Sequence, residues 1–168
     1  MNKASLSNVK GLLTAVMIFF TISPAFSADP NDFYGTLSFK GEPGAAKVGK
    51  LQMRLQGSEI HYKLEVHNIR DVTMAHLHLG HIGDLSTPVV WLYPASPPAR
   101  LIPGEFNGVL AEGTITAKDL IGPLRGKPLD ALIKEMRSGN IFVNIHNIHA
   151  EQSAAGQICG VVECPVPQ

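Results

Sequence analysis

Two short runs, residues 59–67 and 74–79, decide most of what this chain can become. In the first, Ile60, Tyr62, Leu64 and Val66 alternate with Glu59, His61, Lys63, Glu65 and His67. In the second, Ala75, Leu77 and Leu79 alternate with Met74, His76 and His78. A period of two sends successive side chains to opposite faces of a strand, so each run reads as a half-buried strand with one core face. A third run obeys the same rule: Ile141, Val143 and Ile145 point inward, while Asn144 and His146 point outward. If the second and third strands lie side by side, three imidazoles meet.

The rest of the chain continues this pattern. Residues 33–39, 47–55, 89–93, 106–116 and 155–162 read as further strands, the fourth interrupted near Gly113 and the third carrying the only tryptophan, Trp91. Gly41-Glu42-Pro43-Gly44 and Gln56-Gly57-Ser58 are turns by composition, and four prolines make residues 94–104 an irregular connection. Thr116-Ala117-Lys118-Asp119 resembles a helix capping box. After Pro128, the residues Leu129, Leu132, Ile133 and Met136 follow at the spacing of a one-sided helix that ends at Gly139. About eight short strands and one or two short helices predict an antiparallel β-sandwich, immunoglobulin-like or like copper/zinc superoxide dismutase.

Residues 1–27 predict a signal peptide. Lys3 and Lys10 precede an apolar stretch over residues 12–22, and Ala25 and Ser27 suit cleavage after Ser27. The stretch is short for a membrane-spanning helix. Residues 28–168 then form one domain, periplasmic or secreted and free of the membrane. The 14 basic and 14 acidic residues balance, and cleavage removes two lysines and no acid. A slightly acidic chain lacks the basic face that nucleic acid requires. In an oxidising compartment Cys159 and Cys164 have only each other to pair with, and a disulfide is expected; free thiolates as soft metal ligands are the lesser alternative.

His76, His78 and His146 are the candidate metal ligands. Imidazole is neutral near pH 7 and suits copper first and zinc second. His149, His81 and Met74 are candidate additional ligands, and Asn144 shares the face of His146 and is placed to orient it. His61 and His67 lie on the charged face of their strand and are expected to be solvated. Asp84 is the one acid near the histidines, and Arg100, Arg125 and Lys127 are distant in sequence. The chain has no glycine-rich phosphate loop, no Gly-x-Ser-x-Gly turn and no candidate catalytic residue.

Ala75-His76-Leu77-His78-Leu79-Gly80 followed by Pro88-Val89-Val90-Trp91-Leu92-Tyr93 resembles the first signature of the CHRD domain, the module named after chordin. Gly113-Thr114-Ile115-Thr116, Leu120, Gly122-Pro123-Leu124 and Gly139-Asn140-Ile141-Phe142-Val143-Asn144-Ile145-His146 resemble its second half. Gly156-Gln157-Ile158-Cys159-Gly160 resembles the closing Gly-Glu-Ile-Arg-Gly motif, with Gln157 for the acid and Cys159 for the arginine. The loop Asp84-Leu85-Ser86-Thr87 also departs from the family's glycine-rich form. The resemblance covers roughly residues 32–162. It implies an exported all-β module; in chordin such modules belong to an extracellular antagonist that binds growth factors.

Three functions follow as expectations. The first is a small exported protein that binds copper, or less readily zinc. The second is an interaction module for an extracellular or periplasmic protein, with structural histidines. The third, an enzyme of the superoxide dismutase kind, is the least expected, because no bridging ligand or guiding positive patch is legible.

Overall fold

The computed structural model describes residues 29–40, 44–149 and 153–160. The signal segment lies outside them, as does Cys164. Seven strands run in chain order: β1 Asp32–Phe39, β2 Lys47–Gln56, β3 Glu59–Leu79, β4 Pro88–Tyr93, β5 Ile102–Ile115, β6 Ile141–Asn147 and β7 Ala154–Cys159. One α-helix, α1 Leu129–Arg137, precedes β6. All strand pairings are antiparallel.

The architecture turns on β3, a single strand of 21 residues. Its first half pairs with β2 on one side and β5 on the other; its second half pairs with β6 and β4. The buried positions Val66, Ile69, Val72 and Ala75 fall three apart instead of two. Each extra residue is absorbed as an irregularity in register, and Asn68 and Asp71 take positive φ there. Bulges of this kind bend a strand and increase its twist. The bent β3 closes the path β2-β1-β7-β6-β3 back onto β2.

The sequence expectation of eight strands in a sandwich is corrected here. The fold is all-β and antiparallel, but five strands close as a barrel, and β4 and β5 attach to β3 outside the ring. Residues 68–72 join the two alternating runs in the sequence, and Asn68 and Asp71 among them favour turns. They instead continue the strand, which merges two predicted strands into one. Likewise β5 begins at Ile102, inside the segment read as irregular.

Inward residues from the five ring strands fill the barrel, including Phe33, Leu37, Leu51, Leu64, Leu77, Val143, Ile145 and Ile158. Leu129, Leu132, Ile133 and Met136 of α1 join them, as the helical spacing predicts. The Thr116 capping box forms: its backbone N–H donates to Asp119 at 2.8 Å, around a single 3-10 turn.

Gln157 of β7 ties three segments together. Its side-chain Nε2 lies 2.7 Å from the Gly139 carbonyl, 2.9 Å from that of Ile141 and 3.3 Å from that of Gly80. These mark the turn after α1, the start of β6 and the end of β3. A carboxylate cannot donate to carbonyls; an amide can. Gln157→Ala is therefore expected to lower stability by about 1–3 kcal/mol, the range for stranding partly buried acceptors. Urea denaturation measures this, and an unchanged midpoint would remove Gln157 from the account.

Candidate metal centre

Strand register assembles the site. Across β3 and β6, Met74 faces His146, His76 faces Asn144 and His78 faces Phe142. On the other side of β3, His76 faces Trp91 of β4. Directly opposed residues share a face, so these side chains form one patch on the outside of the barrel. Thr73 adds a fixing contact, its hydroxyl donating to the His146 carbonyl at 3.1 Å.

The three imidazoles meet. Ring centroids are 5.7 Å apart for His76 and His78, 5.5 Å for His76 and His146, and 5.9 Å for His78 and His146. One nitrogen from each ring lies within 4.8 Å of the others. Nitrogens sharing one ion at bonds of about 2.0–2.1 Å stand about 3.3–3.6 Å apart.

The sequence places these rings on the outward face, and outward from a barrel usually means wet. Two are nonetheless sealed, His76 at 3% exposed and His78 at 6%, while His146 is half-buried. Trp91 stands edge-on to His76 at 4.1 Å, and Phe142 stacks on His78 at 5.1 Å. Both Nδ1 and Nε2 of His76, and Nε2 of His78, are buried without a hydrogen-bond partner among the described residues. An unmet buried polar atom costs about 1–3 kcal/mol, which makes three in one cluster unusual for a purely structural arrangement.

Burial also sets the charge. Loss of hydration lowers the His76 pKa to about 4, with the neighbouring His146 and His78 rings adding to the effect. Burial lowers His78 as well, partly opposed by its bond to the Ser86 backbone, and it lowers His146. All three rings are therefore neutral at pH 7 and keep a lone pair for a metal.

Two outer contacts orient the rings. His78 Nδ1 lies 3.3 Å from the Ser86 carbonyl oxygen and 3.2 Å from its hydroxyl. A carbonyl only accepts, so Nδ1 carries the proton and Nε2 presents the lone pair. Asn144 Nδ2 lies 3.4 Å from His146 Nε2, a long contact. Asn144 thus stands beside the ring that the sequence assigns it to orient.

The remaining candidates separate cleanly. Met74 lines a cavity together with all three histidines. His81 and His149 do not join the cluster: both are exposed, and His149 lies 3.5 Å from the Asp71 carboxylate. Asp84 is occupied by the His81 backbone N–H at 2.8 Å. His61 and His67 are exposed on β3. Cys159 ends β7 and is not in the cluster, and no free cysteine is found among the described residues.

Sequence reasoning missed the walls. Trp91, Phe142 and Ser86 needed strand pairing and loop path to be placed. So did Arg125, which lines the cavity beside the histidines although it is remote in sequence. Gly122 explains how it arrives. A side chain there would lie 2.5 Å from the Pro88 carbonyl oxygen, and its φ is +52°. Only glycine lets this segment press against the start of β4.

The CHRD domain family matches the chain over residues 36–162, well over half its length. No curated protein and no solved structure matches it.

The buried histidines yield a stability prediction for metal-free protein. His76 is neutral in the fold down to about pH 4, whereas an unfolded histidine protonates near 6.5. Below 6.5 the unfolded chain binds more protons, so stability is full above that pH and falls as pH drops towards about 4. His76→Leu removes two unmet nitrogens at similar volume. It is expected to raise metal-free stability by about 1–3 kcal/mol and to flatten that acid decline. Thermal melts from pH 4 to 7 measure both, and a destabilised variant would mean that the nitrogens serve the fold.

Proposed function

The chain belongs to the CHRD-domain family, and we propose that it is an exported protein binding one transition-metal ion, copper before zinc, through His76, His78 and His146. The observation that carries this reading is the convergence of three neutral imidazoles on one spot, with buried nitrogens that nothing else uses. The donor set argues for the class of metal. Calcium and magnesium need several oxygen ligands, and the cavity that all three histidines line contains no carboxylate. Imidazoles with a nearby thioether, that of Met74, favour copper in either oxidation state, and copper(II) also leads zinc in intrinsic affinity. Three protein ligands leave a coordination position open, which suits an ion that is exchanged or handed on.

Export rests on the segment over residues 1–27, and a Cys159–Cys164 disulfide belongs to the same compartment. The mature N-terminus is expected at Ala28, which intact-mass measurement of exported protein checks. A role as a protein-binding module with structural histidines fits less well, because structural histidines use their nitrogens in hydrogen bonds. A dismutase reading gains from Arg125 beside the cluster. Dismutation by copper-loaded protein above that of free copper would promote it.

Trp91 is the only tryptophan and touches His76, so it reports on the site. Copper(II) is expected to bind one per chain and to quench Trp91 fluorescence, whereas zinc, with a filled d shell, is expected to bind without that quenching. At a free concentration a hundred times Kd, copper should stabilise the fold by about 2.7 kcal/mol. His76→Ala and His146→Ala should weaken binding by more than the roughly 10–100-fold typical of losing an outer hydrogen-bond partner. His61→Ala should leave it unchanged. Metal analysis after dialysis showing no bound copper would end the reading.

A further inference from the structure

The three imidazoles form one wall of a cavity of about 410 Å³, a volume in the range of small-molecule sites. Met74, Pro88, Trp91 and Ile121 give it an apolar lining. Arg125 is the one residue of the lining that carries a full charge. Its backbone N–H donates to the Gly122 carbonyl at 3.1 Å, which fixes it to the segment that Gly122 lets press against β4. Among the described residues no ion pair occupies its guanidinium.

Charge balance then makes a demand. A divalent ion on three neutral imidazoles brings two positive charges to a largely apolar, open cleft, and the exposed Arg125 adds a third. No acid lines the cavity to offset them. Positive charge gathered in one cleft with no acid in its lining attracts an anion, so the loaded site selects for one. The volume and lining select further. A small hydrated inorganic anion would leave most of the apolar wall uncovered, whereas an organic body would bury it.

We propose that this cavity is the seat of a second ligand, a small organic carboxylate, its anionic head between the metal's open position and Arg125 and its apolar body against Trp91, Met74 and Ile121. The proposal rests on the metal reading above and names what the metal-loaded site takes. Guanidinium and carboxylate match in geometry and pair through two parallel hydrogen bonds.

The test uses the purified chain loaded with copper(II), with metal content measured on the same sample. Benzoate is the probe. It is expected to shift the visible absorption and electron paramagnetic resonance spectra with one-site saturation. Benzyl alcohol, of similar body without the charge, should leave them unchanged, and chloride should bind more weakly than benzoate. Arg125→Gln should weaken benzoate binding by about tenfold or more while copper stays at one per chain. Spectra indifferent to benzoate in copper-loaded protein, a match between chloride and benzoate, or an unaltered Arg125→Gln variant would each overturn the proposal and leave the metal reading standing. Failure of the chain to hold copper at all would overturn both, and the metal content tells these failures apart.

Discussion

A buried imidazole nitrogen without a partner is a standing strain on a fold, and this protein gathers three of them in one place. The aromatic rings that exclude water, Trp91 and Phe142, are also what makes those nitrogens expensive. Exclusion of water keeps the rings neutral, and neutrality leaves their lone pairs available. Burial, charge state and unmet hydrogen bonding are thus one physical circumstance. A bound cation would take the lone pair of His78 Nε2 and one lone pair of His76, leaving the His76 N–H as the single unmet group.

The barrel delivers this arrangement through the bends of β3. A straight strand of its length would carry residues 60–66 and 72–79 past a single set of neighbours. Its bulges instead turn the second half toward β6 while the first half stays with β2. The pairing of β3 with β6 brings His146 opposite Met74, two positions from His76, and so sets the triangle. Gln157 holds the far ends of both histidine strands near the turn after α1. The loop over residues 81–87 folds back so that Ser86 fixes the His78 tautomer. Site and scaffold therefore share their hydrogen bonds.

The histidine face was legible in the sequence because period-two alternation is a property of single strands. His76 and His78 declare their common face without any knowledge of pairing, and His146 declares itself outward on its own strand; that the three meet needed the β3–β6 register. Their burial was not legible, since it depends on Trp91 and Phe142 arriving from neighbouring register positions. Ser86 gave no signal at all, because a backbone carbonyl is the same in every residue. Gly122 did carry a trace: it stood among the motifs of the family resemblance, and its positive φ and close approach to Pro88 supply the physical reason. The barrel closure was hidden for a related cause. Asn68 and Asp71 favour turns, and only long-range pairing shows that they bend a strand without ending it.

X-ray absorption at the copper edge counts what surrounds the ion, and so decides whether the three imidazoles hold it. For protein loaded with one equivalent of copper, the account predicts about three imidazole nitrogens at about 2.0 Å, with the outer-ring scattering that identifies histidine. Loss of one imidazole from that count in His146→Ala would place the third ligand on β6. A copper environment of one imidazole or none, or one unchanged by His146→Ala, would contradict the claim that these two strands meet to hold a metal.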